Sequence, residues 1–164
     1  MKNIKIYLLF GALIALAGCS KESEDPGQTN TSTVSGDYWA NLYVDGDAIY
    51  PAPRKITIAN TASNKDSVWI DDHGSLYAFY CKAGGNMQNF TFAATNSENL
   101  YYDGGPSAPA TVTITDGKVM PKAAHSTTGV VTDSIYFKVV FSDDPGTTYE
   151  IKGTGTTNWP EDDF

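Results

Sequence analysis

Beyond Ser35 no stretch of the chain holds an apolar i, i+3, i+4, i+7 pattern through three helical turns. A helix without such a stripe has no face to bury, so any core here must be built from strands. Thr, Val, Tyr, Gly and Asn dominate the region, and the first three suit the pleated surface of a strand. Strand-like runs fall at 38–44, 55–60, Ser67–Asp71, 76–82, 89–93, 110–115, 134–141 and 147–153, with 100–103 and 118–120 as short extras. Turn residues separate most of them: Asp45-Gly46, Asp72-His73-Gly74, Gly84-Gly85-Asn86, Asp116-Gly117 and Asp144-Pro145-Gly146. In the last, Pro145 sets one turn dihedral and Gly146 is expected to take a positive φ, which would make Gly146→Val costly. About eight strands joined by tight turns point to an antiparallel barrel or sandwich rather than βαβ units.

Alternation within the runs assigns the dry faces. Ile135, Phe137, Val139 and Phe141 share one side of a strand, as do Phe90 with Phe92 and Val112 with Ile114. The opposite faces are not uniformly polar. Tyr136 and Val140 flank Lys138, and Tyr77 and Phe79 oppose Leu76 and Ala78. A strand apolar on both faces has a core on one side and either a ligand cavity or a covering segment on the other, or it is simply central. Both readings stay open at this point.

The N-terminus reads as an address. Lys2 and Lys5 precede an almost unbroken apolar stretch over 6–17, too short for a membrane span and the right length for a signal-peptide core. It ends in Leu16-Ala17-Gly18-Cys19, which resembles the lipobox of bacterial lipoproteins. That resemblance implies removal of 1–18 and acylation of Cys19. Two or three acyl chains exceed the two-signal threshold for stable anchoring. Residues 19–35 are polar and small, the composition of a flexible tether, and leave 36–164 as one domain. The acidic Ser20-Lys21-Glu22-Ser23-Glu24-Asp25 is similar to export signals of surface lipoproteins, and serves equally as a solvated start to the tether. The expected location is the outer membrane of a Gram-negative bacterium, lipid-anchored.

Charge and cysteine content narrow the partners. The chain carries −8; Lys2 and Lys5 lie in the leader, so nine basic against 19 acidic residues leave the remainder at −10. Such a surface does not neutralise phosphates, so nucleic acid is not an expected partner. Aromatics at 12% are too many for a disordered chain. With Cys19 acylated, Cys81 has no partner for a disulfide, and its apolar strand context makes it a small buried hydrophobe.

Several stretches together resemble one family. They are Gly36-Asp37-Tyr38-Trp39 with Val44-Asp45-Gly46, Asn60-Thr61-Ala62, Asp66-Ser67-Val68-Trp69-Ile70-Asp71-Asp72, Asp133-Ser134-Ile135-Tyr136-Phe137, and the long segment from Phe141 through Asp144-Pro145-Gly146 to Gly153. This is similar to the lipid-binding putative hydrolase domain of surface lipoproteins, with the match spanning 36–164. The resemblance implies an all-β, antiparallel, about eight-stranded calycin-like or lipocalin-like barrel, which can leave room for one small ligand. It implies a lipid ligand and, by its label, hydrolysis, but carries over no catalytic residue. Pro51-Ala52-Pro53 departs from the pattern and marks a variable loop.

The residues themselves give hydrolysis little support. No Gly-x-Ser-x-Gly elbow occurs, and the two histidines, His73 and His125, sit in turn-like contexts. Asp71-Asp72 and Asp143-Asp144 flank turns. No zinc-ligand spacing or EF-hand loop is present, which leaves calcium between acidic loops open and predicts no cofactor. The leading expectation is a barrel that takes a lipid or another small apolar molecule, with Trp39, Trp69, Phe79, Phe92 and Phe137 as lining residues. The alternative is a glycan-binding accessory lipoprotein in which Tyr43, Tyr77, Tyr101 or Tyr102 stack on sugar rings. A weak hydrolase using His73 or His125 is the third. A continuous apolar cavity favours the first, an exposed aromatic platform the second, and a nucleophile–His–Asp convergence the third.

Overall fold

The computed structural model describes Thr29, residues 31–62 and residues 66–164. Residues 1–18, expected from the sequence to be a leader, and Cys19 lie outside the described residues. The strands are β1 (Gly36–Val44), β2 (Asp47–Ala48), β3 (Arg54–Asn60), β4 (Ser67–Asp71), β5 (Tyr80–Asn86), β6 (Thr91–Glu98), β7 (Thr111–His125), β8 (Val131–Phe141) and β9 (Asp144–Gly155). Each of β3 to β8 pairs antiparallel with the next, β1 pairs with β3, and β9 returns to β1. Eight strands therefore close into a meander barrel, and the two-residue β2 is an extra hairpin arm on β1. Closure removes the sheet edges that would otherwise offer unpaired N–H and C=O groups. The seam is well made, with six residue pairs from Tyr38 opposite Gly155 to Tyr43 opposite Glu150.

Strand alternation fills the interior. Tyr38, Ala40 and Leu42 point in from β1, Ile56 and Ile58 from β3, Val68 and Ile70 from β4, and Ile135, Phe137, Val139 and Phe141 from β8. Cys81 is there too, fully buried, and burial pushes its thiol up to about 12. One barrel end is closed by rings: Tyr77 stacks on Phe141 at 3.8 Å, and Phe79 and Tyr149 each lie within 5.6 Å of Phe141.

Several local expectations change. Thr31 to Ser35, assigned to the tether by composition, form a hydrogen-bonded turn that buries Thr31 and Val34 against the barrel. A single Val was enough to root the segment in the core. The run 76–82 becomes strand only from Tyr80, because residues 72–79 fold into a compact loop in which Ala78 takes φ 56°. That loop is organised by Asp72, whose buried carboxylate accepts backbone N–H bonds from Gly74, Leu76, Tyr77 and Phe79 at 2.7–3.1 Å. The stretch 100–103 is not a strand. It is held by buried Asn99, which accepts from the N–H of Tyr80 and Tyr101 and donates to the carbonyls of Ala78 and Pro109.

Three glycine-bearing signals also change meaning. Asp116-Gly117 is a bulge inside β7 that joins the expected runs 110–115 and 118–120, with Asp116 at φ 56°. Gly84 and Gly85 lie in β5, and the turn falls after them at Met87–Asn89. Asp144-Pro145-Gly146 lies at the start of β9: the hairpin turns through Ser142-Asp143, between paired Phe141 and Asp144. Gly146 has no positive φ, and open space surrounds its Cβ position. A register shift between β8 and β9 accommodates Pro145 where no ladder bond is needed.

Candidate functional site

Outside the barrel the outward residues of β1 and β9 form the floor of a groove of about 650 Å³. Trp39, Asn41 and Tyr43 alternate with the inward residues of β1, and Lys152 and Thr154 do the same on β9. One wall is the loop of Tyr50, Pro51 and Pro53; the other is formed by His125 to Thr127 and the C-terminal Asp162 and Phe164. Buried Asn41 fixes the first wall, donating Nδ2–H to the Tyr50 carbonyl at 2.7 Å and accepting from the Tyr50 and Leu42 N–H groups. Arg54 stacks 4.2 Å over the Tyr50 ring, and Lys152 sits 4.7 Å from the Tyr43 centroid. Phe164 meets Trp39 edge-on at 5.7 Å.

Two features of this groove bear on binding. Trp39 Nε1–H is buried and has no hydrogen-bond acceptor among the described residues. Leaving such a donor unpaired costs about 1–3 kcal/mol, and with no accessible surface of its own it is reached from the groove only when a neighbour such as the Phe164 ring gives way. The second wall is clamped by Asp162, which accepts from the N–H and hydroxyl of Thr128 and the hydroxyl of Thr157. Against the desolvation of its site, hydrogen bonds from Thr157, Thr128 and Ser126 hold this carboxyl below its ordinary value. A lowered folded value means that the clamp stabilises fully above the unfolded pKa of about 3.9 and is lost as pH falls through the folded one. Protection of the Thr128 amide, its exchange measured against the intrinsic rate at each pH, should therefore fall on acidification below that range, and Asp162→Asn should flatten that dependence.

The structure separates the expected lining residues. Phe79, Phe92 and Phe137 are core side chains, 0–2% exposed, with Phe92 and Phe137 in edge contact at 5.6 Å. Trp39 and Trp69 lie on the outer wall, because they occupy outward positions of β1 and β4. Trp69 packs on Tyr80 at 5.2 Å and is remote from Trp39 in the sheet order, with β3 between them. Of the tyrosines, Tyr43 lines the groove, Tyr77 is taken up in the ring plug, and Tyr101 and Tyr102 are exposed at the same barrel end as that plug. Sequence reasoning missed Tyr50, Lys152 and Phe164; Pro51 and Pro53 beside Tyr50 were a signal for a fixed loop.

His125 ends β7 on the groove rim. His73 is more surprising, since it reaches across to β3. Its Nε2 lies 2.8 Å from Thr57 Oγ1, and its Nδ1 faces Asp71 Oδ2 at 3.6 Å. A hydroxyl, an imidazole and a carboxylate thus stand in the order of a catalytic triad. The proton count argues otherwise. Thr57 spends its one hydroxyl proton on Asp37 at 2.6 Å, so the imidazole must donate to Thr57 rather than accept from it. Lys55 pairs with the same Asp37 at 2.7 Å, and Tyr101 donates to Asp71 at 2.6 Å. The arrangement clasps β1, β3 and the β4–β5 loop together. No group of three His, Cys, Asp or Glu suited to a metal occurs among the described residues.

Fold and groove together define a closed eight-stranded antiparallel barrel whose interior is packed and whose concave, aromatic surface lies on its outer wall. The chain belongs to the lipid-binding putative hydrolase family, whose sequence profile matches residues 23–160. No curated protein matches it in sequence.

Proposed function

We propose that the protein is a lipoprotein, anchored through Cys19 in the outer membrane of a Gram-negative bacterium, whose outer groove on β1 and β9 binds a lipid. The carrying observation is the buried, unpartnered Trp39 N–H in a groove walled by Tyr43, Tyr50, Pro51 and Phe164. An acyl chain would bury its methylenes against the rings, at about 0.8 kcal/mol each, while an ester or carboxylate oxygen would meet the indole N–H once a shift of the Phe164 ring uncovers it. Lys152 at the floor is already paired with Glu150 at 2.6 Å, so the rings and not a free charge carry this reading. Membership of the family supports the lipid class. The order of charged, apolar and lipobox residues over 1–19 supports the anchor.

The test uses a fluorescent fatty acid with the full chain and its Trp39→Phe variant. Phenylalanine keeps an aromatic ring but removes the N–H together with part of the indole's packing surface. Affinity should fall at least about tenfold, the size of one hydrogen bond, with the denaturation midpoint little changed because Trp39 is only half-buried. Unchanged affinity would overturn the groove assignment, and no binding by the wild type would overturn the lipid reading.

A second reading is favoured by the polar groups beside the rings. Asn41, His125, Ser134 and Lys152 line the same groove as Trp39 and Tyr43, a mixture that also suits sugar hydroxyls. Soluble oligosaccharides that compete with the fatty acid would shift the assignment to glycans.

A further inference from the structure

The barrel end at which the chain enters β1 carries an apolar patch that the binding groove does not use. Val130 is 45% exposed, Val131 53% and Trp159 62%. They come from two separate segments, the β7–β8 turn and the residues after β9, yet share one concavity with Ser35, Gly36 and Asp37. The clamp of Asp162 on Thr128 and Thr157 holds the two segments in register, so the patch is a built surface rather than two loose tips. Its polar rim is already satisfied: Asp37 pairs with Lys55, and Asp133 accepts the Lys122 N–H at 2.8 Å. Isolated exposed apolar residues need no explanation, but a fixed cluster does.

The chain itself says what should cover it. Thr31 and Val34 are rooted at this end, so everything before Thr29 departs from here. Ten residue steps separate Cys19 from Thr29. Fully extended they reach about 35 Å, and as a flexible coil about 17 Å. An anchored barrel is thereby held with this end close to the bilayer, where even a weak patch acts at high effective concentration. Tryptophan flanked by small aliphatic residues is the composition that partitions into a membrane interface. At −10 the mature chain would be repelled by anionic lipid, which commits the surface to zwitterionic headgroups.

We infer that Val130, Val131 and Trp159 form a membrane-docking face that seats the barrel end on the bilayer to which the chain is anchored. This rests on the proposed lipid anchor at Cys19. Docking has a consequence for the binding groove. The two concavities share Gly155 and Thr157, so the groove would open beside the bilayer surface and could receive a lipid from it without passage through water.

The experiment takes the full chain from a Gram-negative host into phosphatidylcholine vesicles whose acyl chains carry bromine, a short-range quencher of tryptophan. Flotation with the vesicles reads the anchor; quenching reads the face. The expected result is a floating protein whose emission is quenched, with most of the quenching gone in Trp159→Phe, because Trp39 and Trp69 are held on the barrel wall. A protein that floats but is not quenched, or is quenched equally in Trp159→Phe, overturns the docking face and leaves the anchor standing. A protein that does not float overturns both. Emission that responds to protein dilution but not to bromine assigns the patch to a second copy of the chain, and overturns the membrane assignment.

Discussion

Asp72→Ala should destabilise the protein by about 3–5 kcal/mol, read as a lower urea midpoint at constant slope. The carboxylate is wholly buried and accepts four backbone N–H bonds, two on each oxygen. Alanine leaves four donors without an acceptor in a loop that also delivers Leu76 and Phe79 to the core. Burial pushes this carboxyl up, against the pull of the four donors. Asp72→Asn should recover less than half of the loss, since one oxygen keeps its two bonds while the new amide turns its own hydrogens toward the other two donors. A loss below about 1 kcal/mol, the worth of a single neutral hydrogen bond, would mean that the loop is held by its rings and not by Asp72.

Gly153→Val should be the other large effect, on the order of 3–5 kcal/mol or outright failure to fold. A Cβ at Gly153 would lie 2.6 Å from the Trp39 carbonyl oxygen and 2.9 Å from the Ala40 Cα. Both are backbone atoms of the β1–β9 seam, so relief requires the strands to part where the barrel closes. Gly146→Val is the informative comparison. With ordinary φ and open space it should cost at most about 0.5 kcal/mol, as surface substitutions do. Comparable losses for the two variants, measured by denaturant midpoint, would contradict the seam argument.

The contrast between these glycines explains much of what could be read from the chain. A tight turn is a local event, and Asp45-Gly46 takes positive φ at both residues as its composition demands. Asp116-Gly117 carries the same dipeptide but serves as a bulge, because αL geometry suits both and only the neighbouring strands choose between them. At Gly85, Gly117 and Gly153 the requirement comes from a backbone or ring on another strand, a contact that local spacing does not encode.

Side-chain chemistry divides the same way. Alternation along 134–141 correctly placed Phe137 and its neighbours on the inner face, yet an inner face can line a cavity or fill it. The volumes contributed by Phe79, Phe92, Phe137 and Phe141 together decide that it is filled. Trp39 lies one residue out of phase with Tyr38 and Ala40, and so faces the groove instead. That groove gathers Trp39 from β1, Lys152 from β9, Tyr50 from a loop and Phe164 from the C-terminus. The His73–Thr57 contact likewise joins residues 16 apart in sequence.

What the amino-acid order determined alone is the all-β class, the inward and outward faces of most strands and the family, because period-two alternation and turn chemistry act within a few residues. Whether the barrel is filled, where its concave surface lies and which end carries the exposed apolar patch were decided by tertiary closure, because each depends on distant segments meeting across a seam or an end that no local pattern specifies.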